Sequence, residues 1–231
     1  MRKLLFTAVL AIGGGSIALA GVTDELQLSS GASTTTITDN GLGDSNPAVG
    51  TITWSGSING WNVSFTSGTS NSPDPGPPSA LDLGSLVATC SPTGGSCSAD
   101  PLTIMFTDTG FTPQEAYYLF GFSSTILTSG TADGYAYMGT SAFDEAIPLG
   151  ELTLSSVQAL SVTTPNPGGG TTPYSLTLET VLSDTNGQSV EFSTDAALVG
   201  VPDIPEPSAV MLLGTVLLAC GLVFRRRLRI S

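Results

Sequence analysis

The chain contains no histidine, and it has no basic side chain of any kind between Lys3 and Arg225. A Ser-His-Asp or Cys-His catalytic site needs an imidazole base, so neither can form within this chain. Ser-Lys catalysis and Schiff-base chemistry need an amine that the long central segment does not supply. We expect no nucleic-acid partner either, because Lys and Arg side chains are what neutralise phosphates.

The charged residues are divided sharply by position. All 19 carboxylates lie between Asp24 and Glu206. The basic residues lie at the two ends of the chain: Arg2, Lys3, Arg225, Arg226, Arg227 and Arg229. The acidic segment therefore has no side-chain salt bridges available, and burial and backbone hydrogen bonds must stabilise it. This division predicts two terminal signals with an exported body between them.

The N-terminal end has the pattern of a secretory signal peptide. Arg2-Lys3 is a short positive region, Leu4 to Ile17 is apolar, and Ala18-Leu19-Ala20 is a small-x-small sequence of the kind that signal peptidase cleaves. We predict a signal peptide over residues 1–20 and a new N-terminus at Gly21. The alternative is an uncleaved membrane anchor, for which the apolar run is short.

A second apolar run, from Ala209 to Phe224, precedes the C-terminal arginines. As a helix it would be about 24 Å long at about 1.5 Å per residue, slightly shorter than a bilayer core of about 30 Å. The flanking arginines can snorkel to the interface, so we predict a transmembrane helix over residues 208–224 with its basic end in the cytoplasm. A permanent single-pass anchor is one interpretation of this end.

A short motif, Pro205-Glu206-Pro207, stands directly before that helix and the arginine cluster. In this order the three elements, within residues 201–231, resemble the PEP-CTERM sorting tail, which has also been labelled an ice-binding protein C-terminal domain. The resemblance implies a bacterial substrate of a membrane-embedded exosortase that recognises Pro205, Glu206 and Pro207 and cuts nearby. The arginines would be the cytoplasmic stop: Arg225, Arg226, Arg227 and Arg229.

The same resemblance implies a route for the protein. It would pass through the bacterial inner membrane and then reach the cell surface or the extracellular matrix, where exopolysaccharide is a further candidate partner. The ice-binding label is not supported by the body, because Thr34/Thr36 and Thr51/Thr53 lack the regular spacing of an ice-binding face.

The body, residues 21–200, is long enough for one domain with a core. Short β-branched and aromatic runs between turn signals predict an all-β antiparallel sandwich of roughly ten strands, with a jelly roll as one possible form. Asn59-Gly60 and Asn186-Gly187 each predict a hairpin. The alternating stretch 152–163 predicts a single strand.

Two cysteines, Cys90 and Cys97, lie in the exported body and flank a turn-rich connection. In an oxidising compartment this spacing predicts a local disulfide. A zinc site would need further Cys or His ligands that the body does not contain.

Two loops contain oxygen ligands of the kind that Ca²⁺ prefers. The first is residues 39–46, and the second begins at Asp184 but has Ser189 where the calcium loop needs Gly. Asp, Asn and Gly are also typical turn residues, and we favour turns at both places. No cofactor is predicted, and calcium stays the weaker alternative.

The remaining candidates for chemistry are acidic pairs and tryptophans. Paired carboxylates could in principle run glycoside hydrolysis, as an enzyme that uses carboxylates alone. Asp24-Glu25 and Asp144-Glu145 are adjacent, however, and neighbours on a strand point to opposite faces. We expect the acids to be solvated surface charges. We expect Trp54 and Trp61 to lie in the core rather than to form a sugar-stacking platform. The sequence thus predicts a non-enzymatic exported protein, structural or adhesive, with a carbohydrate- or calcium-binding module as the alternative.

Overall fold

The computed structural model describes residues 24–72, 78–90, 99–112, 115–126, 130–168, 173–184 and 189–202 of the 231-residue chain. The predicted signal peptide, the sorting motif, the transmembrane helix, the basic cluster and Cys97 lie outside these ranges. Within them, no helix is long and apolar enough to cross a membrane.

Twelve β-strands make up the part of the chain that the structure describes. In chain order they are β1 (Glu25–Ser30), β2 (Ser33–Thr38), β3 (Thr51–Ile58), β4 (Trp61–Ser70), β5 (Ala80–Cys90), β6 (Leu102–Phe111), β7 (Glu115–Ile126), β8 (Gly130–Gly139), β9 (Ile147–Leu154), β10 (Gln158–Pro165), β11 (Tyr174–Asp184) and β12 (Val190–Pro202).

The strands form two six-stranded sheets in which every pairing is antiparallel. The first sheet has the order β2-β1-β6-β11-β8-β9, and the second has the order β10-β7-β12-β5-β4-β3. One cluster of buried apolar side chains, contributed by both sheets, fills the space between them. The prediction of an all-β antiparallel sandwich is confirmed.

Period-two alternation explains how the sheets face each other. Along β12, Val190, Phe192 and Ala196 are buried, while Glu191 and Asp195, which alternate with the buried residues, are exposed. Successive side chains of a strand point to opposite faces, so one face of each strand joins the core and the other meets solvent.

Trp61 lies in the core, as the sequence predicts, whereas Trp54 is only partly buried. Trp61 is fully buried, its ring centroid lies 5.9 Å from that of Phe192, and its indole N–H donates to the Asp100 carbonyl oxygen at 3.0 Å. Trp54 is partly buried and packs against the same cluster. A sugar-stacking platform made of this pair is therefore excluded.

The predicted hairpin at Asn59-Gly60 is confirmed. Asn59 has φ 46° and Gly60 has φ 87°, and Ile58 pairs with Trp61 across the turn. Positive φ at both central residues is the requirement of a type I′ turn, which Asn-Gly meets at low cost.

The predicted hairpin at Asn186-Gly187 is wrong. Its two flanking strands lie in different sheets: β11 pairs with β6 and β8, and β12 pairs with β5 and β7. A turn signal indicates that the chain reverses, but not which sheet the next strand joins. Because both edges of β11 are already occupied, β12 enters the second sheet.

The single strand predicted over residues 152–163 is also wrong. The stretch contains the end of β9 in the first sheet and most of β10 in the second, with a bend at residues 155–157. Apolar residues continue across the bend, but Val157 and Leu160 are exposed and, from β10, Val162 packs against the core. Periodicity alone therefore does not reveal the change of sheet.

A buried polar network holds the end of β12. The Gly200 N–H donates to the Ser79 carbonyl oxygen at 2.7 Å, and the Ser79 N–H donates to Glu115 Oε1 at 2.7 Å. The Ser79 hydroxyl is 2.9 Å from the hydroxyl of Tyr174. A Cβ at position 200 would collide with the Glu115 side chain, so glycine is required there. The last strand is thus held a few residues before the C-terminal tail begins.

Candidate functional site

All of the predicted processing residues lie outside the described ranges. They are Ala18, Ala20 and Gly21 at the N-terminal end, and Pro205, Glu206, Pro207, Arg225, Arg226, Arg227 and Arg229 at the C-terminal end. Cys90 is fully buried at the end of β5, but Cys97 lies outside the described residues. The Cys90–Cys97 disulfide and the cleavage site at Gly21 stay predictions.

The loop at residues 39–46 uses its carboxylates to organise its own backbone. Asp44 Oδ1 accepts the N–H groups of Asn46 at 2.9 Å and Thr53 at 3.0 Å, and Oδ2 accepts the N–H of Asn40 at 3.0 Å. Asp39 Oδ2 accepts the Gly50 N–H at 3.1 Å. The described residues contain no group of three or more His, Cys, Asp or Glu side chains that could hold a metal ion. This arrangement agrees with the turn interpretation.

Asp144 has the same structural role in the turn between β8 and β9. It accepts the Thr140 N–H at 2.8 Å and the Ala146 N–H at 3.0 Å, and the first of these bonds is the main cause that lowers its pKa. Its neighbour Glu145 is exposed. The adjacent acids therefore do not converge on one point.

The structure brings together two buried acids that sequence reasoning did not pair. Asp24 is 3% exposed and Asp108 is fully buried, and their carboxyl groups are hydrogen-bonded to each other. Asp108 also accepts the Ser70 hydroxyl and, at 2.6 Å, the Thr109 N–H. Burial first, and then the charge of Asp108, raises the pKa of Asp24 to about 8. Burial raises the pKa of Asp108 as well, so at neutral pH the pair retains a proton in the hydrogen bond between the two carboxyl groups.

An open groove of about 620 Å³ lies on the second sheet, across β5, β7, β10 and β12. Its lining is dominated by small and hydroxylated side chains, and Asp195 is the acidic residue within it. Asp195 is hydrogen-bonded to Asp82 on β5, and burial together with Asp195 raises the pKa of Asp82. The groove is thus polar and weakly charged.

The outer face of the first sheet has a different character. Tyr135 and Tyr137 are two residues apart on β8, so both side chains project from this face. Their rings are nearly parallel, with 6.2 Å between centroids and 13° between planes. Tyr135 pairs with Glu179 on β11 and with Glu151 on β9, and the Tyr137 hydroxyl donates to Glu179 Oε2 at 3.3 Å.

We call this surface the tyrosine face, and it consists of Tyr135, Tyr137, Asp133, Glu145, Glu151 and Glu179. Burial raises the pKa of both tyrosines, and the next cause is a carboxylate: Asp133 for Tyr135 and Glu179 for Tyr137. Burial and then Glu145 raise the pKa of Glu179 as well. The acids therefore create a negative potential around the two rings.

The tyrosine face was not predicted from the sequence, because Trp54 and Trp61 were the aromatic residues considered as a sugar-stacking surface. One signal was available: Tyr135-Ala-Tyr137 places two tyrosines on the same side of an alternating strand, with Asp133 in phase. The contributions of Glu151 and Glu179 depend on strand register, which no local pattern encodes.

Several solved structures are similar to this chain at low scores. They include a family 11 carbohydrate-binding module from Clostridium thermocellum (13% identity, TM-score 0.31, 80% of this chain and 100% of that one). A CBM4 protein matches at 13% identity and TM-score 0.33, over 60% of this chain and 93% of that one. The enzymatically active domain of tailspike protein 4 from bacteriophage CBA120 matches at 12% identity and TM-score 0.33, over 58% of this chain but only 18% of that one.

TM-scores this low are not evidence of shared function. No curated protein matches the chain in sequence.

The C-terminal tail gives a definite match. The PEP-CTERM protein-sorting motif matches residues 203–227, a range that includes Pro205-Glu206-Pro207 and the arginines at 225–227. The resemblance of the tail is confirmed, and the motif implies passage through the membrane, exosortase processing and export toward the cell surface. The chain therefore carries a PEP-CTERM protein-sorting motif in its C-terminal tail.

Proposed function

We propose that this chain is an exported bacterial surface or extracellular-matrix protein without catalytic activity. Its C-terminal helix holds it transiently in the inner membrane, and an exosortase-type enzyme cuts near Pro205-Glu206-Pro207 and releases the body. The observation that carries this proposal is the sorting motif at residues 203–227, which begins directly after β12 ends at Pro202.

The position of the motif relative to the folded body supports processing. The motif follows a strand end that is held through Gly200, so no folded segment separates the body from the recognition sequence. Proline lacks a backbone N–H and disfavours helix, so Pro205 and Pro207 favour an extended, accessible peptide at the membrane surface.

A non-catalytic role fits the two hydrogen-bonded acid pairs of the body. Asp24 with Asp108, and Asp82 with Asp195, are in direct hydrogen-bond contact. Glycosidases instead hold their two carboxyl groups about 5 to 9.5 Å apart, to leave room for the sugar and in some cases a water. With no histidine and no central lysine, the other common nucleophile–base pairs are missing too.

Removal of the exosortase from the producing cells tests this proposal. We expect full-length protein in the membrane fraction and none in the medium, whereas unmodified cells release a shortened form. As a matched control, the same cells should still remove residues 1–20, because signal peptidase acts independently. Release of the same shortened form without the exosortase would overturn the proposal.

A second candidate function is an adhesive carbohydrate-binding module on the same scaffold. The partly exposed tyrosine pair with its neighbouring carboxylates favours it, because aromatic rings and carboxylates together can contact the apolar faces and the hydroxyl groups of sugars. The calcium-binding form of this alternative has less support, because the carboxylate of Asp44 already accepts three backbone N–H groups.

A further inference from the structure

We propose that the tyrosine face binds an amine-bearing polysaccharide, a polymer of amino sugars whose nitrogens carry free ammonium groups. This inference rests on the proposed function, because such a polymer would be met outside the cell.

Charge selects an amine over a neutral or acidic sugar. Four carboxylates surround the two tyrosines: Asp133, Glu145, Glu151 and Glu179. The chain has no Lys, Arg or His between Lys3 and Arg225 that could offset them. An anionic glycan would be repelled by this face, a neutral glycan would gain nothing from the field, and an ammonium group would be attracted.

The tyrosines provide a second interaction that also favours a cation. A ligand ammonium beside an aromatic ring is attracted by the ring quadrupole, and the attraction increases when the site is partly desolvated. Tyr135 and Tyr137 are both partly buried, and Glu179 lies within hydrogen-bond reach of the Tyr137 hydroxyl. One ammonium group could thus contact a ring and a carboxylate together.

The geometry favours a polymer over a small molecule. Glu151 on β9, Tyr135 on β8 and Glu179 on β11 are direct cross-strand neighbours, so they form a row across three strands. Neighbouring strands are about 4.8 Å apart, so the row extends over about 10 Å of open sheet. A polymer with repeated ammonium groups can pair with carboxylates on both sides of Tyr135.

The other surfaces of the body fit this ligand less well. The groove on the second sheet is lined mainly by Ser, Thr and Ala, with Asp195 as its acidic residue. The Asp24–Asp108 pair is buried and inaccessible to a polymer. A basic peptide would pair with the carboxylates as well. It lacks the hydroxyl groups of a sugar, which can form hydrogen bonds with the carboxylates and the tyrosine hydroxyls. The amino-sugar polymer is therefore favoured.

Calorimetric titration of the full-length protein in neutral detergent tests the proposal. The probes are a glucosamine oligosaccharide, its fully N-acetylated counterpart of equal length, and oligolysine of equal charge. We expect the glucosamine oligosaccharide to bind about tenfold more tightly than the acetylated one, or better. We also expect this affinity to fall as salt is raised, because exposed charges are screened.

Point variants locate the site. Glu179→Gln and Tyr135→Ala should each weaken the binding of the glucosamine oligosaccharide about tenfold. Glu191→Gln is the matched control, because it removes the same charge from an exposed position on the second sheet and should leave the affinity unchanged. Glu179→Gln conserves side-chain shape, so it keeps the test valid if Tyr135→Ala lowers the melting temperature.

Four results would overturn the proposal. They are equal affinity for the two oligosaccharides, equal weakening by Glu191→Gln, tighter binding of oligolysine, and no binding of the glucosamine oligosaccharide. None of them bears on processing, which is measured in cells from the mass of the released protein. Conversely, failure of exosortase processing would leave the binding measured on the purified protein unchanged.

Discussion

The body and the tail of this protein differ in how their sequences encode what they do. The tail is a linear signal: the sorting motif occupies 25 consecutive positions, residues 203–227, and can be recognised without a structure. The body is a sandwich in which strands such as β6, β11 and β12 pair with distant segments, and its surfaces form only when the sheets assemble. The comparison indicates that the sorting signal is encoded locally here, whereas the tyrosine face depends on the fold.

Deletion of residues 203–231 should have the largest effect, because it removes the whole sorting tail and leaves the body. We expect the truncated protein to cross the membrane but to lose membrane retention and exosortase processing completely. Its thermal unfolding should match that of the released body, because all twelve described strands lie before residue 203. Fractionation and circular dichroism would measure both effects. Continued membrane retention of the truncated protein would show that the body holds an anchor of its own.

Trp61→Ala perturbs the body instead. Trp61 is fully buried against Phe192, so its removal leaves a cavity and should cost about 3–5 kcal/mol of unfolding free energy. Denaturant unfolding measures this loss. Trp61→Phe is the control, since it keeps an aromatic ring and loses mainly the hydrogen bond to Asp100. Substitutions at the surface usually change the unfolding free energy by less than about 1 kcal/mol. A loss that small in Trp61→Ala would therefore contradict the assignment of Trp61 to the core.

The Asp24–Asp108 pair should make the body less stable as pH rises. The pKa of Asp24 is about 8 in the folded protein, against about 3.9 for an unfolded chain, so the folded state binds more protons between these values. Unfolding free energy should therefore fall as pH is raised from about 4 to about 8.

Asp24→Asn isolates this contribution. An amide cannot ionise but can still donate to Asp108, so the variant should be more stable than the unmodified protein near pH 8 and should have a shallower pH slope. Glu191→Gln, at an exposed position, should keep the original slope. Identical slopes for Asp24→Asn and the unmodified protein, from unfolding curves between pH 4 and pH 8, would contradict the paired arrangement.

The smallest expected effect is local. Asp44→Ala removes acceptors for three backbone N–H groups in the 39–46 turn and should cost about 1–3 kcal/mol. Asp44→Asn retains one carbonyl acceptor and should cost less. If Ca²⁺ raised the melting temperature of the unmodified protein but not that of Asp44→Ala, the turn interpretation would be replaced by a calcium loop.

The sequence predicted those features that depend on neighbouring residues. Alternation predicted the sandwich, Asn59-Gly60 predicted its hairpin, and Pro205-Glu206-Pro207 with the apolar run predicted the sorting tail. Local patterns could not predict which sheet β12 joins after Asn186-Gly187, because that choice depends on the free edges left by other strands.

The candidate site was less predictable for the same reason. Glu151, Tyr135 and Glu179 meet only through the register of β9, β8 and β11. Asp24 and Asp108 are brought together by the packing of β1 beside β6, and neither lies in a motif that marks it as buried. The periodicity of a single strand does not show which distant strand it pairs with, or in which register.

The intact mass of the native protein, taken separately from culture medium and from membranes, tests the central claim most directly. Tryptic mapping would serve poorly, because no Lys or Arg lies between Lys3 and Arg225. We predict a form in the medium that begins at Gly21 and ends near Glu206. A membrane form that retains the C-terminus through Ser231, with nothing released into the medium, would contradict exosortase processing and indicate a permanently anchored protein.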